Sequence, residues 1–277
     1  MTTMDDDRRM QVEDLNALHW AVGALEHPSL ASRLGNLVGK PIELMRQALP
    51  PGASEVIARA ATKGLNAAMT IALRTMSGQT RGGSPLLHRS LAAVSGAVGG
   101  GLGLAALALE LPVSTVIMLR SIMTIAREQG EDIDNPETAL ASLQVFALGT
   151  RVGEGGDALG NGYFAVRGAL AKSLTEAARF MAERGIVAEG APVLVRFIAQ
   201  VASRFGMVVT QKAAAQTLPL IGAVGGAAVN YAFTTHFQDI AQAHFTVRRL
   251  ERRYGSAFVR TQYERIREGI AGRKFAA

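Results

Sequence analysis

Apolar residues recur every three or four positions along most of the chain, which is the spacing that places them on one face of an α-helix. The clearest runs are Val12, Leu15, Leu18 and Val22, followed by Ile57, Ala60, Ala61, Leu65 and Ala68. We find no stretch with the sustained alternation and β-branched content that indicate a half-buried strand. The pattern therefore predicts an all-α fold, a single multi-helix bundle of about nine or ten helices.

Proline and glycine divide this pattern into separate helices. The predicted breaks are Pro41, Pro50 to Gly52, Gly82 to Pro85, Asn135-Pro136, Gly153 to Gly162 and Ala191-Pro192. Asn135-Pro136-Glu137 is a favourable helix start, because asparagine caps free N–H groups and proline fits the first helical position. Residues 1–9 are polar and acidic and lack the apolar run of a secretory signal. We expect them to form a flexible acidic tail, followed by a single helical domain over residues 10–277.

Two long stretches carry no charged residue when histidine is neutral. Ser90–Leu109 has 20 residues and Ala213–Gln238 has 26. Both are long enough to cross a bilayer. The first contains five glycines and the second contains several polar side chains, and such segments insert poorly. We therefore expect these stretches to pack inside the protein or to contact a membrane surface.

The same five residues, Gly-Ala-Val-Gly-Gly, occur at Gly96–Gly100 and again at Gly222–Gly226. Each copy precedes an apolar helix, a basic turn and a glycine, which suggests duplication of a helical hairpin. Glycines four positions apart clear one helix face for close packing. Two interpretations stay open: tightly packed buried helices, or pliable hairpins that contact acyl chains or open an apolar cavity. The candidate contacts for lipid or an apolar ligand are Gly96, Gly99, Gly100, Gly103, Glu110, Pro112, Gly222, Gly225, Gly226 and Asn230.

The entire formal net charge of +6 lies near the C-terminus, where residues 246–277 carry nine basic and three acidic residues. Apolar residues at helical spacing accompany them, and a basic amphipathic helix can bind an anionic membrane. In the alternative interpretation this apolar stripe packs on the core and the arginines pair with the acidic N-terminus. The candidate contacts with an anionic surface are Arg248, Arg249, Arg252, Arg253 and Arg260. Nucleic acid is a weaker expectation, since no binding module is recognisable.

Candidate chemistry is sparse. The chain has no cysteine, which excludes disulfides, zinc fingers and a thiol nucleophile. Gly99–Gly103 lacks the lysine and hydroxyl residue of a phosphate-binding loop. His236 and His244 are about 12 Å apart along a helix, too far to share a metal ion. We expect no metal and no cofactor, and we favour a non-enzymatic role.

Glu110 interrupts an apolar run directly before Leu111-Pro112. A carboxylate in such surroundings must pair, become protonated or face water. It either forms an ion pair, with Arg120 or with an arginine of the second repeat, or it contacts a polar head group at the mouth of a cavity.

Three groups of residues, taken in order, resemble the EcsC protein family over Pro51–Gly269. The first group is Gly96–Gly103, Glu110-Leu111-Pro112, Leu119-Arg120-Ser121-Ile122, Ile125-Ala126 and Gly130. The second is Tyr163-Phe164-Ala165-Val166-Arg167, and the third is Leu218–Gly222 through Asn230, with Ala241, Phe245, Arg248-Arg249-Leu250 and Tyr254-Gly255. One departure is Glu110, where the family pattern has aspartate.

This resemblance implies a bacterial, cytoplasmic helical protein of a kind described as membrane-associated and named after a gene beside ABC transporter subunits. It implies no established reaction, cofactor or catalytic residue. Together with the glycine-rich stretches and basic C-terminus, it leads us to expect a lipid- or amphiphile-binding protein, peripheral to the inner face of the cytoplasmic membrane. The alternative is an accessory interaction protein for an ABC transporter or secretion system.

Overall fold

The computed structural model describes residues 10–26, 30–39, 42–47, 49–76, 103–150, 162–184, 191–216 and 223–275. Within these ranges all regular secondary structure is helical, so the prediction of an all-α bundle is confirmed. The ten described helices are α1 (Val12–Glu26), α2 (Leu30–Val38), α3 (Ile42–Gln47), α4 (Ala53–Met76), α5 (Gly103–Glu128), α6 (Pro136–Leu148), α7 (Tyr163–Arg184), α8 (Pro192–Gln216), α9 (Ala223–Tyr254) and α10 (Ser256–Phe275).

Several helix boundaries follow from the predicted local chemistry. The Asn135 side chain accepts a hydrogen bond of 2.8 Å from the backbone N–H of Glu137, and Pro136 begins α6. Gly130 ends α5 with a left-handed φ of +78°, and the next N–H, that of Glu131, bonds back to Ala126. This turn, which glycine adopts without strain, brings Glu131 beside α9.

The core is built around α6 and α9. Every residue of α6 from Thr138 to Leu148 is buried. The apolar stripe of α9, which the sequence offered as either membrane-facing or core-facing, is packed inside the bundle. Phe237 lies 5.2 Å from Phe146 and 5.6 Å from Phe205 between ring centres, in edge-on or tilted geometries that favour aromatic packing. The core-facing interpretation of this stripe is therefore the one that the fold supports.

The first helix is held by the last two helices. Leu18, Val22 and Leu25 of α1 are buried in the shared core. At the end of α1, the Tyr263 hydroxyl of α10 donates a hydrogen bond of 2.6 Å to Glu26 Oε1. The backbone N–H of Tyr163 donates to the same oxygen at 3.2 Å. Segments from both ends of the described chain are thus joined.

Two described helices are long and apolar enough to cross a membrane by length and composition. They are Leu107–Glu128, with a mean hydropathy of 1.5, and Pro192–Gln216, with 1.4. In their most apolar windows 39% and 44% of the residues are buried in the bundle. A helix in the core of a soluble protein passes the same test. The length and composition of α5 and α8 therefore do not establish that either helix contacts a membrane.

Parts of the sequence prediction lie outside the described residues. These are the acidic tail, residues 1–9, and the glycines Gly96, Gly99, Gly100 and Gly222. Gly103 is the first residue of α5, and Gly225 and Gly226 lie in the first turn of α9. The glycine-rich hairpins and the internal duplication therefore stay predictions.

Candidate functional site

A buried ion pair connects α5 to α8. Lys212 Nζ lies 2.6 Å from Glu110 Oε1, and their side chains are 1% and 15% exposed. Burial lowers the pKa of the Lys212 ammonium, and the Glu110 carboxylate opposes this shift. The sequence analysis anticipated an ion pair but suggested an arginine partner such as Arg120. The partner is instead Lys212, which lies in an apolar helix far away in sequence.

The ion pair lines a half-open cleft of about 160 Å³ between α5, α8 and α9. Its wall combines apolar side chains with hydroxyl, amide and charged groups. The lining residues are Glu110, Val113, Ser114, Ile117, Lys212, Asn230, Phe233 and Thr234. Lys212 Nζ lies 4.8 Å from the centre of the Phe233 ring, within the range of a cation–π contact. Asn230 Oδ1 is buried and has no hydrogen-bond partner among the described residues.

The cleft brings together Glu110 and Asn230, two of the residues predicted to contact an amphiphile. Each is about 10 Å from the first residue of its helix, because a helix rises 1.5 Å per residue. Lys212 lies four residues before the end of α8, so this part of the cleft is formed by the starts of α5 and α9 and the end of α8. We call this end of the bundle the glycine-rich end, because the two glycine-rich sequences adjoin the starts of α5 and α9.

Other predicted contacts lie near the same end. Pro112 lies within α5 and is half-buried, but it does not line the cleft. Leu109 and Tyr231, the sequence neighbours of Glu110 and Asn230, are 70% and 74% exposed. Large exposed side chains that lie together beside a cleft are typical of a contact surface. The sequence analysis singled out neither Leu109 nor Tyr231. The only feature of the sequence that pointed to these two residues was that each lies next to a predicted contact residue.

The predicted arginine surface is largely occupied by internal partners. Asp14, which is buried, accepts hydrogen bonds from Arg249 at 2.9 Å, from Arg253 at 3.0 Å and from the Tyr254 hydroxyl at 2.8 Å. Burial raises the pKa of Asp14, but the bonds from Tyr254 and Arg249 and the two arginine charges outweigh burial and hold that pKa below its ordinary value. These contacts match the alternative in which arginines pair with the acidic N-terminus.

The other two arginines of α9 pair with the turn after α5. Arg248 bonds Glu131 at 2.8 Å, and Arg252 bonds the same carboxylate. Burial raises the pKa of Glu131, but both arginines lower it, and the net shift is downward. Arg260, in α10, lies over the Phe164 ring with its guanidinium carbon 5.3 Å from the ring centre. Contact of these five arginines with an anionic surface stays a prediction. Each of their side chains already has a partner within the protein.

The arginines and the cleft lie at different ends of α9. Asn230 and Arg248 are separated by about 27 Å along the helix axis. The sequence analysis named them as two kinds of contact, one with lipid or an apolar ligand and one with an anionic surface. Their separation means that the cleft and the paired arginines form two distinct regions.

A second polar cluster lies inside the bundle, where residues of the second and third family-like groups meet. The Tyr163 hydroxyl lies 2.9 Å from His244 Nδ1, and Arg167 forms two hydrogen bonds of 2.8 Å with Glu251. Arg167 also donates to the Tyr163 oxygen at 3.3 Å, so the Tyr163 proton points to Nδ1. Burial raises the pKa of Tyr163 to about 12 and lowers that of His244. Both side chains are buried inside the bundle, at 3% and 0% exposure.

His236 and Asp239, which lie three residues apart on α9, have separate partners. His236 Nε2 donates to the Gly149 carbonyl at 2.9 Å, while Asp239 pairs with Arg33 at 2.7 Å. Burial lowers the pKa of His236 to about 4, so it is neutral near pH 7. In the part of the chain that the structure describes, no group of three or more histidine, aspartate or glutamate side chains could hold a metal ion.

Comparisons with known proteins place the chain in a family. No curated protein and no solved structure matches it. A family model described as the EcsC protein family matches residues 16–250. That range begins before Pro51, where the resemblance in the sequence was first seen, and it includes all residues that line the cleft and the Tyr163–His244 contact. The chain therefore belongs to the EcsC protein family.

Proposed function

We propose that this protein binds lipid or another amphiphile, without catalysis, at the cleft on the glycine-rich end of its bundle. In this proposal it is held peripherally on the inner face of the cytoplasmic membrane. The observation that carries the proposal is the half-open cleft of about 160 Å³, which joins apolar walls to the Glu110–Lys212 pair and to Asn230. Ligand sites commonly combine a mostly apolar wall with a few converging polar groups.

The size of the cleft supports partial entry of an amphiphile. Its volume of about 160 Å³ is close to that of an engineered protein cavity of about 150 Å³ that binds one benzene molecule. A head group or the end of an acyl chain fits, whereas a whole lipid does not. The rest of the amphiphile would extend past the cleft, where exposed Leu109 and Tyr231 offer apolar contact. Tyrosine is a common residue at membrane interfaces because its ring is apolar and its hydroxyl is polar.

The described polar groups support binding more than catalysis. Glu110 is held by Lys212, whose ammonium is buried. The two histidines of α9 are bonded elsewhere, His236 to Gly149 and His244 to Tyr163. Neither histidine lines the cleft, so the described part of its wall has no imidazole to act as an acid or base.

Vesicle flotation with matched variants tests the proposal. The double variant Leu109→Ser, Tyr231→Ser removes the two exposed side chains beside the cleft and should weaken binding to vesicles about tenfold or more. The control is Val12→Ser, which removes a side chain of 71% exposure near the arginine end. Because the arginines are already paired, binding should persist at 0.5 M salt.

Three results would contradict this proposal. One is the absence of flotation together with the absence of any amphiphile in native mass spectra of the purified protein. Another is binding that Val12→Ser weakens as much as the double variant does. Flotation lost in salt and in Arg260→Ala would instead place the membrane contact at the arginine end. If amphiphiles are absent and a transporter component copurifies, the accessory-protein alternative replaces the proposal.

A further inference from the structure

The cleft carries a balanced pair of charges, which restricts what can enter it. Lys212 and Glu110 are in contact and almost wholly removed from water. An anionic group would lie against the Glu110 carboxylate, and a cationic group would lie against the Lys212 ammonium. Either would have to compete with a buried pair whose disruption is strongly unfavourable. An uncharged polar group meets neither obstacle.

The uncharged polar atoms of the wall include hydrogen-bond acceptors. Asn230 lines the cleft, and its Oδ1 is buried without a partner among the described residues, which is costly for an acceptor until a donor reaches it. Because this oxygen has almost no surface open to the cleft, the side-chain amide must turn about its Cβ–Cγ bond for a ligand donor to reach it. Ser114 donates its own hydroxyl proton to the Leu111 carbonyl at 3.1 Å, so its oxygen retains lone pairs that can accept. The complementary group is a donor, and the simplest uncharged donor on an amphiphile is a hydroxyl.

The apolar part of the wall indicates that this hydroxyl group is attached to a hydrocarbon chain. Val113, Ile117 and Phe233 line the same cleft. A volume of about 160 Å³ accommodates a polar group of a few carbon and oxygen atoms, such as a three-carbon polyol. Leu109 and Tyr231 are exposed, and each lies one helical turn before a lining residue, Val113 and Thr234 respectively.

We infer that the cleft binds the uncharged, hydroxyl-bearing head group of an acylglycerol-like amphiphile, with Asn230 Oδ1 accepting a hydrogen bond from the hydroxyl. This inference rests on the proposed function and specifies the ligand class of the same site. Charged single-chain amphiphiles and uncharged ones without a hydroxyl should bind less tightly.

Four amphiphiles with the same hydrocarbon length test this specificity on the unaltered protein. They are 1-monooleoylglycerol, methyl oleate, oleate and oleylamine, which differ in charge and in hydroxyl content. Binding is measured at pH 7 by displacement of a fluorescently labelled monoacylglycerol, a probe that carries no charge on its head group. We expect 1-monooleoylglycerol to bind about tenfold more tightly than each of the other three, because it is the one ligand that offers an uncharged hydroxyl to the unpaired acceptor.

Asn230→Leu then tests the named acceptor with a side chain of similar size. It should lower the affinity for 1-monooleoylglycerol about tenfold and leave that for methyl oleate unchanged. Asn16→Leu, on the exposed surface of α1, is the control and should change neither affinity. Far-UV circular dichroism verifies that both variants fold. The comparison of the four ligands needs no variant, so it decides the question even if Asn230→Leu is unstable.

The outcomes separate this inference from the proposed function. Equal affinities for 1-monooleoylglycerol and methyl oleate, or a preference for oleate or oleylamine, would overturn the inference while amphiphile binding stands. Undiminished discrimination in a folded Asn230→Leu variant would also overturn it. If none of the four displaces the probe and vesicles do not bind, the proposed function itself fails.

Discussion

Replacing Glu110 by glutamine tests the buried ion pair most directly. The substitution keeps the size of the side chain and removes its charge. Lys212 is then left with a buried ammonium, because its side chain is 1% exposed and cannot turn to water without rearranging α8. The amide oxygen of glutamine can still accept a hydrogen bond from Nζ at the position that Glu110 Oε1 occupies, 2.6 Å away.

The expected loss is large. Removing one partner of a buried ion pair costs about 3–5 kcal/mol. Because the glutamine oxygen retains one hydrogen bond, we expect a value near the lower limit, about 3 kcal/mol of unfolding free energy. Glu128→Gln, at the exposed end of the same helix, is the matched control and should change stability by about 0.5 kcal/mol or less.

The loss should depend on pH in a definite direction. Burial lowers the pKa of Lys212 in the folded protein below its ordinary 10.5, and removing Glu110 takes away the charge that opposes this shift. The unfolded chain then binds more protons at this site than the folded one, so stability rises with pH below 10.5. Glu110→Gln should therefore regain part of its stability between pH 7 and pH 9.5, relative to the wild type.

Urea unfolding followed by far-UV circular dichroism at both pH values measures these differences. Lys212→Met should cost less than Glu110→Gln, because the remaining Glu110 is 15% exposed and retains some contact with water. The double variant Glu110→Gln, Lys212→Met should recover much of the loss, since no buried charge remains. Equal and pH-independent losses for Glu110→Gln and Glu128→Gln would refute the electrostatic reasoning.

Two further substitutions test packing and the N-terminal anchor. At Gly64 an added Cβ would lie 2.7 Å from Thr115 Oγ1, so Gly64→Ala should cost about 1–3 kcal/mol in thermal unfolding. Gly23→Ala meets nothing within 4 Å and should be neutral or stabilising; a larger loss there would contradict this packing. Asp14→Asn should cost about 1.5–3 kcal/mol at pH 7, because charged hydrogen bonds are lost. Since the pKa of Asp14 is lowered in the folded protein, the wild type should lose its extra stability over Asp14→Asn as pH falls below 3.8. If the unfolding free energies of the two proteins fall in parallel with pH, this reasoning is contradicted.

Local signals in the sequence predicted the helices well. The 3–4-residue spacing predicted the all-α bundle, and Asn135-Pro136-Glu137 predicted the start of α6, because both depend on neighbours along the chain. The same spacing could not decide whether the apolar stripe of α9 faces a membrane or the core. Phe237 packs against Phe146 and Phe205, which come from two other helices. That choice depends on tertiary contacts that periodicity does not contain.

The candidate site was predicted in part for the same reason. Glu110 was singled out because a carboxylate in an apolar run needs a partner. Asn230 was included because it follows the second glycine-rich sequence and belongs to the third family-like group. Lys212 was missed, although it too is a charge in an apolar helix, because its relation to Glu110 depends on how α5 and α8 meet. The sequence left open whether the arginines face a membrane or pair within the protein. Arg248 and Arg252 share Glu131 as a partner, and the turn at Gly130 fixes the position of Glu131.

The attachment of α1 to α9 and α10 has a consequence for biosynthesis. The groups that hold α1 include Arg249, Arg253 and Tyr263, which lie 235, 239 and 237 residues after their partners in α1. Until those residues leave the exit tunnel, Leu18 and Val22 lack part of the surface that buries them. During synthesis α1 is therefore without these partners while more than 200 further residues are added. A chaperone that binds apolar helices would find a binding site on α1 over that interval.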